Sequence, residues 1–265
     1  MNATVKLSSP STAGFWEIPI LFEDEHLLAL DKPAGLLTSP DRLAPGQPSM
    51  TKLLQDAVAA GKPWASQRGL SYLANAHRLD ANTSGVLLFA KSKAVLVALA
   101  DQFGTDKPLR HYVALVQGAP IHEGFEATEK IGPHPLQPGR NRIDNRTGRK
   151  ARTEFQLLEK FSRWSLVRCV PHGERPQQIV LHLSHAGIPV VADEAHGGKN
   201  LWLSRLKRDF RLKPGREERP LISRTALHLE KLAFTHPVTQ QDLSILSEWP
   251  KDLRVALKYL RQYGV

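Results

Sequence analysis

Cysteine is almost missing from this chain: its 265 residues include one, Cys169. No disulfide framework and no cysteine-rich zinc site can be built from it, which favours a reducing compartment and sets the expectation of a cytoplasmic protein. No uninterrupted apolar run is long enough to cross a bilayer, so no membrane association is expected. The N-terminal MNATVKLSSPSTAGFW carries neither a secretory signal pattern nor an Arg-rich amphipathic one. Glycine patterns of the Walker or dinucleotide type are absent, and so is the G-x-S-x-G context of a nucleophilic serine. His182 and His185 stand three apart on an expected helix, but no third ligand stands at a metal-binding spacing, and no metal is expected.

What is present is ordinary in bulk and unusual in charge. Apolar residues make up 41% and charged residues 23%, so a core can form without disulfides or metal. Lys and Arg number 36 against 26 Asp and Glu, a formal net of +10 with a pI near 9.8. That excess attracts polyanions and turns attention to nucleic acid.

Along the chain, residues 1–16 are rich in Ser, Thr and Pro and read as a loose arm. ILFEDEHLLALDKPAGLL reads as a hairpin with an acidic turn, ended by Pro33 and bent at Gly35. SMTKLLQDAVAA has helical spacing. VLLFA reads as a buried central strand, and Ser92 is placed to cap a helix whose face carries Val95, Leu96, Leu99 and Phe103. HYVALVQG, ARTEFQLLEKF, SLVRCVPHG and ALHLEKLAFTHP are strand-like, with turns and short hairpins expected over 119–150. QQIVLHLSHAG, stopped by Gly187, and WPKDLRVALKYLRQYG are helical. A basic loop runs from about 197 to 220. One mixed α+β domain over 17–265 is the expected organisation.

The stretch HRLDANTSG places one carboxylate, Asp80, between a basic dipeptide and a compact turn of Asn82, Thr83, Ser84 and Gly85. An arbitrary Asp there would simply bond turn amides. The turn, however, has enough polar groups without it, and Arg78 makes the surroundings electropositive.

These residues resemble the signature of the RluA-type pseudouridine synthases, H-R-L-D-x-x-T-S-G. LLALDKPAGL resembles the family's early motif ending K-P-x-G. RHYVALVQG resembles the strand K-x-Y-x-A-x-V-x-G, with Arg110 in place of Lys, and ALHLEKLAFTHP resembles a late L-H-x-x-x-L-x-F-x-H-P segment. An S4 RNA-binding domain is not expected in this length. The resemblance implies a mixed, largely antiparallel sheet flanked by helices and a cofactor-free isomerisation of uridine in structured ribosomal or transfer RNA, by a monomer.

The family pattern assigns Asp80 as the catalytic carboxylate and Tyr112 as the ring that stacks on the flipped uracil. Arg78, Thr83 and Arg175 are its implied support, and Lys32, Arg110, Lys207, Arg208 and Arg211 are expected RNA contacts. One segment departs from the pattern. Relatives carry G-R-x-H-Q-I-R-x-H-L, whereas this chain reads GERPQQIVLHL, with Val180 where an Arg would face the carboxylate. Either Arg175 or Arg78 supplies that cation, or the protein is an RNA binder of the same fold with reduced or lost catalysis. A nucleoside glycosidase is disfavoured, because such enzymes ordinarily need a second carboxylate.

Overall fold

The computed structural model describes residues 3–9, 11–212 and 215–264. The chain begins with β1 (Thr4–Ser9), β2 (Gly14–Glu23) and β3 (Leu27–Lys32), then α1 (Met50–Ala59) and the one-turn α2 (Pro63–Ser66). Next come β4 (Ala74–Asn75), β5 (Ser84–Ala90), α3 (Lys93–Gly104) and β6 (Leu109–Gln117). The middle holds β7 (Gly124–Ala127), β8 (Ile131–Pro133), β9 (Asn141–Ile143), β10 (Arg152–Lys160) and β11 (Trp164–His172). It ends with α4 (Gln178–His185), α5 (Leu203–Leu206), β12 (Leu227–Thr235), β13 (Asp242–Leu246) and α6 (Lys251–Tyr263). The fold is a mixed, mostly antiparallel α+β architecture, as the family resemblance implied.

Two compact units divide the chain, and each takes a piece from its far end. The first comprises residues 1–110 and 229–248, the second residues 111–228 and 249–265. In the first unit the strands lie in the order β1-β2-β3-β5-β12, with β13 on β12 and β4 on β5. Strand β5 is buried along its whole length, which explains its unbroken apolar run between two flanking strands. Leu28 and Leu30 of β3 pack with Leu87 and Phe89 of β5 and with Met50 and Leu54 of α1. Ser92 caps α3 as its position suggested, its Oγ accepting the Val95 N–H.

The expected loose arm is corrected here. Strand β1 pairs antiparallel with β2 from Thr4↔Pro19 to Ser9↔Gly14, and Val5 and Leu7 are buried in the first unit's core. The period-2 alternation of VKLS outweighs the Ser/Thr-rich composition, because burying two aliphatic side chains offsets the entropy of ordering the arm. Met1, Asn2 and Pro10 lie outside the described residues.

In the second unit the order is β6-β11-β10-β7, with β8 and β9 forming a separate hairpin. Ile131 and Ile143 of that hairpin pack with Ala151 and with Leu181 of α4. Arg224 makes two hydrogen bonds to Asp252, 2.9 and 3.0 Å long, which tie the segment before β12 to α6. Within the basic 197–220 stretch α5 forms one turn, and the Leu221 N–H donates to the Leu201 carbonyl at 2.8 Å, closing the base of the excursion. Lys213 lies outside the described residues. Among the described residues no helix is long and apolar enough to cross a membrane.

Candidate active site

The loop that carries Asp80 runs between β4 and β5, inside the first unit. Its short turn closes where the Thr83 N–H donates to the Asp80 carbonyl at 3.0 Å. Lys32, at the end of β3, is the main support of this loop. Its side chain is 0% exposed, and Nζ donates to the carbonyls of Pro33, Asp80, Ala81 and Thr83 over 2.8–3.2 Å. An ammonium has three N–H donors, so four carbonyl dipoles around one charge replace its hydration shell and draw the loop around it.

The segment after Lys32 tightens the same loop from outside. The Gly35 N–H donates to the Ala81 carbonyl at 2.9 Å. Thr38 Oγ1 both donates to the Leu79 carbonyl (2.8 Å) and accepts the Leu79 N–H (3.1 Å). Asn75 Nδ2 donates to the His77 carbonyl, while its Oδ1 accepts the hydroxyls of Ser39 and Thr51. The K-P-x-G and H-R-L-D motifs, far apart in sequence, are thus two sides of one clasp.

His77 anchors the start of the loop as a neutral ring. Its Nε2 accepts the Leu88 N–H at 3.2 Å, and the ring stacks on Phe103 at 5.2 Å. Complete burial, with the Arg110 charge nearby, pushes its pKa down to about 3. At the other end Gly85 has φ +121°, and a Cβ there would stand 2.2 Å from the Leu229 carbonyl oxygen of β12. Only glycine lets β12 lie that close, which accounts for the last letter of the T-S-G turn.

Within this clasp Asp80 is half-buried, Arg78 is exposed and Thr83 is buried. Two expected RNA contacts are corrected. Lys32 is enclosed by carbonyls, and Arg110 is 2% exposed and ion-paired with Asp106, so neither side chain is presented to a polyanion.

The remaining expected residues belong to the second unit. Tyr112 stands on β6 opposite Cys169 of β11 and is 8% exposed. Val180, on α4, is buried. His182, also on α4, is held by Thr153 through Nδ1 (2.9 Å) and by the Glu129 carbonyl through Nε2 (3.0 Å), and burial lowers its pKa. Arg175 lines a cleft beside β8 and β9 made of second-unit residues. Arg208 and Arg211 are exposed on the 197–220 excursion, and Lys207 Nζ lies 5.9 Å from the centre of the Tyr263 ring.

Sequence reasoning missed the structural work of Lys32, His77 and Asn75. The available signal was a lysine ending the apolar strand LLALDK, where an exposed charge would be out of place.

Similarity to known proteins follows the same residues. The family model described as RNA pseudouridylate synthase matches residues 26–185. Ribosomal large subunit pseudouridine synthase D of Xanthomonas campestris pv. campestris is 33% identical over 265 residues, covering 99% of this chain and 76% of the relative. Ribosomal large subunit pseudouridine synthase C of Escherichia coli (strain K12) is 30% identical over 243 residues, covering 91% of this chain and 70% of the relative. Among solved structures, human RNA Pseudouridylate Synthase Domain Containing 4 shares the fold with a TM-score of 0.67 at 21% identity, over 91% of this chain and 92% of that one. With a family model that matches well over half of its length and relatives at 30–33% identity across nearly all of it, the chain belongs to the RNA pseudouridylate synthase family, isomerases that convert uridine to pseudouridine in RNA.

Proposed function

We propose that this protein isomerises specific uridines of large-subunit ribosomal RNA in the cytoplasm, acting as a monomer, with Asp80 as its catalytic carboxylate. The observation that carries the assignment of Asp80 is the clasp: a fully buried lysine and the Gly35–Thr38 segment hold the backbone on both sides of one half-buried carboxylate. A turn that only needed amide caps would not require a buried ammonium. The ribosomal target is supported by relatives named for the large ribosomal subunit at 30–33% identity.

The chemistry needs one carboxylate rather than the pair of an ordinary glycosidase. Asp80 assists cleavage of the C1′–N1 bond. The detached uracil turns within the site and forms the C1′–C5 bond, then the C5 proton leaves and N1 is protonated. Because uracil itself is the nucleophile, no water is activated and water has to be excluded. Tyr112 supplies the ring that stacks on the displaced base. Arg78 and Thr83 support the carboxylate loop. Lys207, Arg208 and Arg211 meet backbone phosphates, which helps offset the few kcal/mol of taking a base out of its stack.

The test is release of tritium from RNA labelled at uracil C5, with Asp80→Asn as control. Release lost by more than about a thousandfold in Asp80→Asn is expected for an essential catalytic group. Free uracil as product would point to a glycosidase, and RNA binding without release would point to a non-catalytic RNA-binding protein.

A further inference from the structure

The basic residues of the second unit gather in two places, and the one that motif matching leaves unassigned is better built. From Lys130 to Arg152 stand seven Lys and Arg against a single carboxylate, Asp144. That carboxylate is engaged by its own turn, accepting the N–H groups of Arg146 and Thr147 and the Thr147 hydroxyl. The segment folds into β8, β9 and the turn after them, and together with Glu174–Pro176 it encloses a cleft of about 330 Å³.

The walls of this cleft are fixed by backbone and amide bonds. Ile131 and Arg149 exchange N–H···O bonds of 2.9 Å each. A Cβ on Gly148 would stand 2.4 Å from the Asp144 carbonyl oxygen, so the turn closes against its own backbone. The Asn141 N–H donates to Gln177 Oε1 at 2.8 Å, and Asn141 Nδ2 donates to the Pro176 carbonyl at 2.9 Å. Gln177 itself holds φ +63°, a conformation costly for a side-chain-bearing residue, and its amide bonds keep it there.

Into this rigid cleft comes a guanidinium with little to hold. Among the described residues, Arg175 Nε is buried without a hydrogen-bond partner, and Nη1 donates to the Glu174 carbonyl at 3.4 Å. A partly buried guanidinium with so few bonds inside the fold has donors left for a ligand. Arg149, exposed in the same lining, adds a second guanidinium, against one carboxylate, Glu174.

We propose that this cleft is a phosphodiester site for the RNA substrate, in which Arg175 and Arg149 grip one backbone phosphate and so register the strand on the second unit. This rests on the reading of the protein as an RNA pseudouridine synthase. Guanidinium forks match phosphate oxygens in geometry and charge, and phosphate contacts position a nucleic acid without reading its sequence. The site removes Arg175 from the expected role of cationic support for Asp80 and makes it a substrate contact.

The experiment measures equilibrium binding of a large-subunit rRNA fragment over a salt series, in an Asp80→Asn background so that the RNA stays unmodified. Arg149→Ala, Arg175→Ala and their double variant are compared with Lys160→Ala, a surface charge removed elsewhere in the same unit. The expected result is a several-fold loss of affinity with a salt slope shallower by about one for the phosphate lost, equal across unrelated RNA sequences, and no change in Lys160→Ala. Arg149→Ala alone, a surface change, keeps the test decisive if Arg175→Ala lowers the melting temperature. Slopes and affinities matching Lys160→Ala overturn the site. Tritium release by the wild-type chain is measured alongside, and its absence counts against the isomerase reading alone.

Discussion

The two units differ most in charge. The first, residues 1–110 and 229–248, holds 12 Lys and Arg against 13 Asp and Glu; the second, residues 111–228 and 249–265, holds 24 against 13. The net values are −1 and +11, so the whole positive excess of the chain sits in the unit that does not carry Asp80. The division separates two tasks. One unit fixes a carboxylate through buried, mostly uncharged bonding, and the other supplies the field that attracts a polyanion. A strong positive field around the carboxylate loop itself is not needed to hold it, because carbonyl dipoles and a single enclosed ammonium already do so.

That contrast can be broken by substitution, since changes in the first unit should lower stability and changes in the second should lower RNA affinity. The largest effect is expected for Lys32→Met, which leaves four carbonyls without their ammonium. Unfolding by denaturant should show a loss of about 3–5 kcal/mol, with tritium release falling in parallel. Gly85→Ala comes next, since its methyl group meets the Leu229 carbonyl and its φ of +121° is strained for alanine. A loss of about 3 kcal/mol, read as a lowered melting temperature, is expected from that clash.

Per pH unit, a smaller effect follows from acid. The His77 ring stays neutral in the fold down to about pH 3, whereas it titrates near 6.5 when unfolded. The unfolded state therefore binds more protons between those values, and stability should fall as pH drops through that window, by about 1.4 kcal/mol per unit from this group. His77→Gln, whose side-chain oxygen can accept the Leu88 N–H, should flatten that part of the pH–stability curve. An unchanged slope would assign the acid sensitivity to another group. The smallest stability effect is expected in the second unit. Arg208→Ala with Arg211→Ala should leave the melting temperature within about 1 °C, as exposed charges do, while weakening RNA binding several-fold and reducing its salt slope.

Much of this division could be read from the sequence, but only where the signal is local. VLLFA, the Ser92 cap and the helix after it follow from periodicity and end chemistry over a few residues. So do the paired strands on either side of FEDEH. Asp80 was legible through a motif of nine residues. Lys32 was not, because a charged side chain reads as exposed by default, and its burial depends on carbonyls 48 to 51 residues away. Arg110 misleads for a related reason, as its partner Asp106 looks like an ordinary surface acid. The surroundings of Arg175 were not legible either, since its cleft is built by a hairpin more than thirty residues upstream, to which Gln177 is bonded. The arm was misread because composition was weighed above the alternation of Val5 and Leu7.

The contact of Gly85 with Leu229 also has a temporal side. During synthesis, the strand that carries Asp80's turn is complete more than 140 residues before β12 exists. Until residue 235 has left the ribosome, the first unit lacks both β12 and β13, and the part of β5 that β4 does not cover has an open edge in place of a neighbour. The bonds that hold the carboxylate loop all lie before residue 90 and can form early, whereas the covering of Gly85 by β12 is a late event in the life of the nascent chain, set by pairing of segments distant in sequence. A chain that stops short of β12 would carry the whole HRLDANTSG motif without the strand that closes over its glycine.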